Sequence, residues 1–564
     1  MQPARALHVI FCWHMHQPDY RGADGHYILP WTYLHACKDY ADMVAHLEEN
    51  PLARAVFNFV PTLIEQLEDY GEQFRSGQFR DGLLAALAAD DLKTLTPAAR
   101  HSLLHQCFRL DQEHMLNPFP DYRRLYDLYQ HIQIDVQEMA DYLSVQYLAD
   151  LVMWYHLAWT GETVRRGSPF IQAMLAKGRG FTREDRQQLL RLLGDLIHNL
   201  IPRYRRLAEA GRIELSTTPY DHPIGPLLMD FGAARESLPD CPLPQSKGYP
   251  GGAVRARWHV DRALAAHQQR FGLAAGGQWP AEGGVSEAFV QVLGEAGIGW
   301  TATGEGVLAH SLRTAADDEP ARERWQYLYR AYRLPSGGPA LFFRDDALSD
   351  AIGFDYQKWF GHDAVGDFVH RLEEIWRRTE GQGTPVVSII LDGENAWEYY
   401  PYNGYYFLSE LYKVLSNHPH IQLCTFSDYL AHHDAQPETL PHLVAGSWVY
   451  GNFSTWIGDS AKNRAWDLLC AAKQAVDQRL TRFDPAQQEL ILRQLGVCEG
   501  SDWFWWFGDY NPAAAVRDFD ELYRANLRKL YGLIGMPAPR TLDTPISQGG
   551  APAAAAGTMR RTTP

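Results

Sequence analysis

The sequence predicts an α/β fold, either an α/β barrel or a doubly wound sheet, followed by a helical domain. Three observations predict this arrangement. Short apolar runs typical of buried strands alternate with helical patterns over residues 1–435. From residue 436 to 545 the pattern becomes helical. The chain of 564 residues is also longer than one ordinary domain and suits a large domain with an addition.

The first half of the chain begins with a predicted strand, His8–Trp13, which gives way to His14. Residues from about 36 to 206 have mostly helical spacing and predict a helical insertion. A strand over Ile213–Thr218 follows, then a helix over Ala253–Phe271 and a short run that reaches Trp279. Strands that alternate with helices in this way are typical of parallel sheets.

The second half of the barrel or sheet continues the alternation. A helix is predicted over Ser286–Glu295, with a serine as its N-cap, and a strand over Ile298–Thr303. Val386–Leu391 is rich in β-branched residues, as expected for a parallel strand covered on both faces. Leu423–Phe426 predicts another strand, after which Ser427-Asp428 opens a helix.

The C-terminal region predicts three helices and a disordered tail. The helices are Ala461–Leu480, a segment from Asp484 to Gly496, and Val516–Tyr531. The last stretch, Ile546–Pro564, is rich in Ala, Gly, Pro and Thr and is predicted to be disordered.

The composition excludes several functional classes. With 52 basic and 68 acidic residues, the net charge of −16 repels nucleic acid and anionic membranes and favours a neutral substrate. The seven cysteines are scattered and contain no CxxC, which argues against disulfides and thiolate zinc sites. No segment predicts a signal peptide or a membrane span, so a cytoplasmic protein is expected. The sequence predicts no cofactor and leaves the oligomeric state open.

Histidines and an amide follow the first strand in the segment WHMHQP. His14 and His16 are two residues apart, so they point to the same face of an extended chain. Together with Gln17 they predict hydrogen bonding to a polyhydroxylated ligand. The alternative is a pair of histidines bonded to neighbouring backbone.

Two glutamates occupy distinctive positions. Glu214 lies inside a predicted strand, where a carboxylate is costly unless it is paired or faces a cavity. A solvated edge strand would explain it equally well. Glu282 lies in GQWPAEGG, where two glycines permit close approach and Trp279 can cover the apolar face of a sugar ring. A simple surface turn is the alternative.

The strand Val386–Leu391 delivers Asp392 at its end. In α/β barrels, catalytic groups lie where strands give way to loops at the C-terminal face. Burial raises the pKa of a carboxyl, which a general acid needs near neutral pH. Glu394 and Trp397 follow closely and are further candidates for substrate binding. The alternative role for Asp392 is to cap the next helix.

Two carboxyls on separate strand ends, with histidines and aromatics around them, predict glycoside cleavage. At these residues the sequence resembles glycoside hydrolase family 57. HMHQP, GRIELSTTPYDHPI, GQWPAEGGVSE and LDGENAWEYYP match four ordered motifs of the family, and SWVYGNFSTWIG and CEGSDWFWWFGD resemble the fifth. The match covers most of residues 8–510. The sequences of the last two motifs are most similar to those of the α-amylase and amylopullulanase group.

The resemblance implies an incomplete (β/α)7 barrel with a C-terminal helical domain over the cleft, and retention at the anomeric carbon. It implies that Glu282 is the nucleophile, that Asp392 is the general acid/base, and that His14, His16 and His222 contact the sugar. It also implies cleft residues from the helical domain, namely Trp448, Trp456, Glu499, Asp502, Trp503 and Trp506.

The sequence therefore predicts a retaining glycosidase that acts on α-glucans such as starch, glycogen and maltooligosaccharides. Pullulan is a further candidate substrate. A 4-α-glucanotransferase or branching enzyme of the same family is the alternative. From other classes, a metal-dependent hydrolase using His14 and His16, or a carbohydrate-binding protein without turnover, stays open. The sequence does not distinguish α-1,4 from α-1,6 preference.

Overall fold

The computed structural model describes residues 6–132, 143–315, 323–432 and 436–551. Its strands are β1 Leu7–Met15, β2 Ala55–Phe59, β3 Ile213–Thr217, β4 Gly277–Gln278, β5 Trp300–Gly304, β6 Tyr332–Leu334, β7 Gly337–Arg344, β8 Val386–Asp392, β9 Ile421–Leu423 and β10 Glu438–Thr439.

Seven of these strands form a parallel barrel. They follow the order β7-β5-β4-β3-β2-β1-β8, and the ring closes where Arg344 of β7 pairs with Ser388 of β8. Seven strands are one fewer than the eight of the commonest α/β barrels. The prediction of a (β/α)7 barrel is confirmed, and the doubly wound alternative is wrong.

The strands of the barrel show why their sequences are so apolar. Every residue of β1 and of β8 is buried, because neighbouring strands flank each of them and helices or barrel interior cover both faces. β9 pairs with β1 outside the ring, and β6 and β10 extend the sheet beyond β7.

The predicted insertion over residues 36–206 is not wholly helical. It contains the barrel strand β2, Ala55–Phe59, which pairs with both β1 and β3. This strand has only five residues, too few for its alternation to stand out between helices. The helices before β3 are Trp31–His35, Ala41–Glu49, Pro61–Ser76, Gly82–Ala88, Pro97–Gln106, Pro120–Ile132, Val145–Ala158, Glu162–Gly167, Pro169–Lys177 and Arg183–Glu209.

The prediction around Leu423–Phe426 also needs correction. The strand ends at Leu423, and the following helix begins at Phe426. Thr425 is the N-cap, because its hydroxyl accepts from the backbone N–H of Asp428 while the Asp428 carboxylate bonds back. The helices after β3 are Gly225–Met229, Ala234–Ser237, Gly252–Phe271, Glu287–Glu295, Glu305–Ala315, Asp346–Asp350, Gly361–Arg378, Tyr405–Ser416 and Phe426–Ala431.

The C-terminal region is helical, as predicted. Its helices are Ser460–Arg479, Pro485–Glu499, Asp502–Trp506 and Ala513–Leu533. The second of them does not stop at Gly496 but continues to Glu499. Within the described ranges, no helix is both long and apolar enough to cross a membrane.

The predicted tail begins in an ordered segment. The backbone N–H groups of Ile546 and Ser547 donate to Asp520, at 2.6 and 3.2 Å, and both residues are buried. The expectation of disorder from Ile546 onwards is therefore wrong for its first residues. The rest of that prediction, residues 552–564, lies outside the described residues.

Candidate active site

A cavity of about 250 Å³ lies where β1, β4 and β8 end at the C-terminal face of the barrel. Helices of the C-terminal region form part of its wall. The predicted site residues that line it are His14, His16, Gln17, His222, Trp279, Glu282, Asp392, Glu394, Trp448, Asp502 and Trp506.

Glu282 lies in a short turn just after β4. Its backbone has φ 58°, and Gly283 has φ 59°, so two consecutive residues are left-handed. A non-glycine residue rarely adopts this conformation, which is found preferentially at functional sites. A Cβ on Gly283 would come within 2.8 Å of the Trp279 ring. The glycine therefore lets the tryptophan close against the turn that presents Glu282.

The Glu282 side chain is held by Trp448. The indole N–H of Trp448 donates to Oε2 of Glu282 at 3.0 Å, and the two residues also share a backbone hydrogen bond. The guanidinium of Arg344 lies 5.3 Å from the Trp448 ring centroid. Arg344 is itself fixed by ion pairs with Asp346 and Asp350, each at 2.8 Å. Its cation–π contact therefore helps to hold the Trp448 ring in place.

Asp392 ends β8 and faces the same cavity. Burial raises the pKa of Asp392 to about 6, and the amide of Asn395, which donates to Oδ2 at 2.7 Å, partly opposes this rise. Hydrogen bonding to the charged form favours ionisation, whereas desolvation disfavours it. Asp392 can therefore carry a proton close to neutral pH.

Glu394 is a second buried carboxyl beside Asp392. Burial and the nearby charge of Asp392 raise the pKa of Glu394 well above its usual range. Gln17 donates to its Oε1 at 3.1 Å, and the Tyr20 hydroxyl fixes the Gln17 amide by donating to its oxygen at 2.8 Å. Burial thus favours the protonated form of Glu394, and its side chain is anchored to the segment that follows β1.

A chain of hydrogen bonds orders two of the histidines. Nδ1 of His14 donates to Asn58 Oδ1 at 2.7 Å, so its Nε2 is the acceptor for Nε2–H of His222 at 3.0 Å. Nδ1 of His222 then accepts from the Ser501 hydroxyl at 2.8 Å. Burial lowers the pKa of both histidines, to about 3 for His14. Both rings are neutral, as these bonds require.

His16 links the barrel to the helical region. It bonds Asp502 at 2.8 Å and stacks on His222 with ring centroids 3.8 Å apart. Donor atoms of His16, His222 and Asp502 lie within 4.8 Å of one another, so these three could hold a metal ion. His14 is not in this group, in contrast to the ligand pair considered from the sequence.

Most of the chain matches one known protein family. The family model of glycosyl hydrolase family 57 matches residues 10–442. The chain belongs to this family. No curated protein sequence matches it.

Solved structures with a similar fold include members of family 57. A branching enzyme from Thermococcus kodakaraensis superposes with a TM-score of 0.58 at 15% identity, covering 93% of this chain and 90% of that one. The α-amylase AmyC from Thermotoga maritima gives 0.56 at 14% identity, covering 94% and 93%. A branching enzyme from Pyrococcus horikoshii gives 0.53 at 14% identity, covering 97% and 98%. At these identities the likeness shows the fold.

Glu214 does not line this cavity. It is the second residue of β3 and therefore lies near the opposite end of the barrel. Its carboxylate accepts from the Trp300 indole at 2.7 Å and from the Ser427 hydroxyl at 2.6 Å. These bonds explain a charged residue in a strand without any ligand.

Four other predicted substrate contacts also lie away from the cavity. Trp397 is buried and donates to the Gly393 carbonyl at 2.8 Å. Trp503 donates to the Val497 carbonyl at 2.8 Å and stacks on Tyr523. Trp456 is fully buried behind Trp505. These three tryptophans are core residues. The motifs misled the prediction because they contain both rings that face the cavity and rings that point into the core.

Glu499 is the fourth of these. It is fully buried and bonds Arg255 at 2.6 Å, His259 at 2.7 Å and the Tyr249 hydroxyl. Partners of opposite charge, Arg255 first, lower the pKa of Glu499 to about 2 despite its burial. It joins the C-terminal helices to the helix Gly252–Phe271 and does not touch the cavity.

Sequence reasoning missed part of the cavity wall. The additional lining residues include Trp31, His35, Arg109, Trp159, Asn395, Tyr399, Trp505 and Asp518. Several come from the insertion, where Arg109 forms an ion pair with Asp518 at 3.1 Å across the cavity wall. Asn395, Tyr399 and Trp505 lie inside the quoted motifs LDGENAWEYYP and CEGSDWFWWFGD but were not singled out there. No motif marked the others, since they come from separate parts of the chain that meet only on folding.

Proposed function

We propose that this protein is a retaining glycoside hydrolase that acts on α-glucans, with Glu282 as nucleophile and Asp392 as general acid/base. The observation that carries this proposal is the pair of carboxyls on separate strand ends of one cavity. Burial raises the pKa of Asp392 to about 6, and the Trp448 indole anchors Glu282 by donating to its carboxylate. One carboxyl that can hold a proton and a second that is fixed in place suit the roles of proton donor and nucleophile.

The proposed mechanism has two steps. Glu282 attacks the anomeric carbon of an α-linked glucosyl unit, and the C–O bond to the leaving sugar breaks as Asp392 gives its proton to the leaving oxygen. A β-glucosyl ester on Glu282 results. Asp392, now ionised, then takes a proton from the incoming water, which attacks the same carbon and releases Glu282.

The neutral histidines would position the sugar rather than transfer protons. His14 and His222 line the cavity and have lowered pKa values, so they add no positive charge beside Asp392. Aromatic rings such as Trp279 and Trp506 suit the apolar C–H faces of pyranose rings. These features support a neutral saccharide as the ligand. The names of fold relatives, which include an α-amylase and branching enzymes, also support an α-glucan.

A second candidate function is transfer to another glucan chain, as in a 4-α-glucanotransferase or branching enzyme. The observation that favours it is the aromatic wall contributed by the helical region. Trp505, Trp506 and Phe519 line the cavity together, and such a wall can exclude water while it binds a sugar acceptor. Transfer would then compete with hydrolysis for the same glucosyl ester.

The product profile on maltoheptaose and pullulan tests both candidates. We expect wild type to give short maltooligosaccharides if it hydrolyses and a ladder of longer chains if it transfers. Maltotriose from pullulan would show α-1,6 cleavage. Glu282→Gln should form none of these products, because the amide cannot form the ester. Glu214→Gln, at the opposite end of the barrel, is the matched control and should retain activity.

Three results would contradict the proposal. Turnover by Glu282→Gln equal to wild type would exclude the nucleophile. Binding of glucan with no product from wild type would indicate a carbohydrate-binding protein instead. A metal-dependent hydrolase, using His16, His222 and Asp502, would lose its activity to a chelator and regain it with Zn²⁺.

A further inference from the structure

Exposed aromatic side chains are concentrated around the starts of two helices, Gly361–Arg378 and Tyr405–Ser416. Among the described residues, five Phe, Trp or Tyr side chains are exposed, and four of them are Trp359 (42%), Phe360 (83%), Tyr402 (57%) and Tyr406 (51%). We call these four the aromatic platform. A contiguous exposed apolar patch on a folded chain often marks a binding surface.

Packing of two helix ends brings the platform together. A Cβ on Gly361 would lie 3.0 Å from the Phe407 nitrogen and 3.2 Å from the Tyr406 carbonyl carbon. The helix that begins at Gly361 therefore abuts the start of the helix Tyr405–Ser416. This contact brings Phe360 close to Tyr406. Tyr402 and Tyr406 meet edge to face, with centroids 5.4 Å apart.

Polar groups surround the exposed rings. The guanidinium of Arg166 lies 4.3 Å from the Tyr405 centroid and 5.1 Å from that of Tyr406. It donates to the Tyr406 hydroxyl at 3.0 Å, and Glu162 holds its other edge at 2.8 Å. The platform thus presents ring faces beside hydroxyl and guanidinium groups, a combination that suits a sugar chain.

The loop that displays Tyr402 has an unusual backbone. Tyr402 and Asn403 both have φ 54°, and Gly404 has φ 71°. Two non-glycine residues in the left-handed region cost conformational energy, so the surrounding structure must hold them. Buried Asn403 supplies this support, since it accepts from Lys38 at 2.7 Å and donates to Asp42 at 2.8 Å.

Two short stretches of chain join the lining of the catalytic cavity to the platform. Glu398 and Tyr399 line the cavity, and the chain reaches Tyr402 three residues later. From the other side, Trp159 lines the cavity, and the short helix Glu162–Gly167 that follows carries Arg166. Two separate segments therefore lead from the cavity to the platform.

We propose that the aromatic platform is a second α-glucan binding site, outside the catalytic cavity, which holds a polysaccharide while another part of it occupies the cavity. This proposal rests on the proposed function for the class of ligand. Neutral sugar is favoured over anionic partners by the net charge of −16. The aromatic faces can stack on pyranose rings, while Arg166 and the tyrosine hydroxyls bond sugar hydroxyls.

Affinity electrophoresis of the full chain in native gels that contain glycogen tests this site. The variants are the double substitution Tyr402→Asn/Tyr406→Ala and, separately, Phe360→Ala. Asparagine is chosen at position 402 because it tolerates left-handed backbone, and Phe360→Ala leaves that loop untouched. Leu490→Ala, at a residue 61% exposed in the C-terminal region, is the control.

We expect the double variant to bind glycogen about fivefold to tenfold more weakly, and Phe360→Ala to weaken binding by a smaller factor. The KM for glycogen should rise in parallel. Both kinetic constants for maltoheptaose should stay unchanged, since that chain is short enough to use the cavity alone. Leu490→Ala should behave as wild type.

Three outcomes would overturn the site. Equal retardation of the platform variants and wild type would show that the platform binds no glycogen. An equal loss for maltoheptaose would show that it belongs to the cavity. A wild-type dimer that the double variant converts to monomer in sedimentation velocity would show that a second copy of the chain covers it.

These outcomes are separable from failure of the proposed function. Retardation that depends on the platform, with no turnover by wild type, would leave the site standing and remove the catalytic proposal. Turnover abolished by Glu282→Gln, with retardation that is the same in all variants, would leave the catalytic proposal and remove the site.

Discussion

Two buried carboxyls, one at the end of the barrel and one in the helical region, behave in opposite ways. Asp392 and Glu499 are both buried, and the sequence predicts both as site residues. The pKa of Asp392 is raised to about 6, whereas that of Glu499 is lowered to about 2. The difference lies in their partners. Glu499 has Arg255 and His259 within bonding distance, while Asp392 accepts from the Asn395 amide.

The bonded partners distinguish a buried carboxyl that can transfer a proton from one that stabilises the fold. Desolvation raises the pKa of any buried carboxyl, and a bonded cation reverses the shift. A carboxyl without such a cation can take up and release a proton near neutral pH. A paired carboxylate keeps its charge and stabilises the contact between its neighbours.

The largest expected difference is in activity. Asp392→Asn should lower kcat/KM on maltoheptaose by about 10²- to 10⁴-fold, because the amide cannot give a proton to the leaving oxygen. Its melting temperature should not fall, since the substitution removes a buried group that has no cation partner. Steady-state kinetics and thermal unfolding measure the two effects.

The matched control for Asp392→Asn is Glu394→Gln. Glu394 is also buried in this cavity, and burial raises its pKa and favours the neutral form that an amide resembles, so Glu394→Gln should cost little activity. If Glu394→Gln were as inactive as Asp392→Asn, the proton donor could not be assigned to Asp392 alone. An activated aryl glycoside, whose leaving group needs no protonation, should restore much of the rate to Asp392→Asn.

The opposite behaviour is expected at Glu499. Glu499→Gln should lower the free energy of unfolding by about 3–5 kcal/mol, because it leaves Arg255 buried without its counter-charge. Urea unfolding at pH 7 measures this loss. Glu489→Gln on the same helix removes an ion pair between the half-exposed Glu489 and Arg262 and should cost about 0–1 kcal/mol. Equal losses in the two variants would contradict a structural role for Glu499.

The Glu499 pair should also make stability depend on pH. Its folded pKa lies below that of an unfolded glutamate, about 4.3, so its contribution is fully present above that value. The contribution should be lost as the pH falls from there towards 2. Glu499→Gln should flatten this part of the curve of unfolding free energy against pH.

The same residues show which parts of the fold and of the site could be predicted from the sequence. The position of Asp392 followed from a buried parallel strand, whose apolar run is readable and whose end must face the active side of a barrel. Glu282 followed from its turn of proline and glycines. Strand β2 was missed because five residues inside a helical stretch carry too little pattern. Glu214 was misplaced because a strand motif does not say which end of the barrel each residue occupies.

The helical region was harder to predict than the barrel. Tryptophans that are adjacent in SDWFWWFGD point in different directions, so Trp506 lines the cavity and Trp503 packs on Tyr523. The direction depends on the tertiary contacts of a five-residue helix. Glu499 shows the same limit for charge, since its counter-ion Arg255 is distant in the sequence and becomes a neighbour only on folding.

The smallest expected effect concerns the amide beside Asp392. Asn395 donates to the ionised form of Asp392 and so lowers its pKa from the value that burial alone would give. Asn395→Ala removes this bond, and the pKa of Asp392 should rise. Because the leaving oxygen requires a protonated Asp392, the alkaline limb of kcat/KM should move to higher pH, by about one unit. The acidic limb, set by ionisation of the nucleophile, should stay in place. A shift of the alkaline limb to lower pH would mean that Asn395 stabilises the protonated carboxyl instead, and the contrast with Glu499 would then rest on the cationic partners of Glu499 alone.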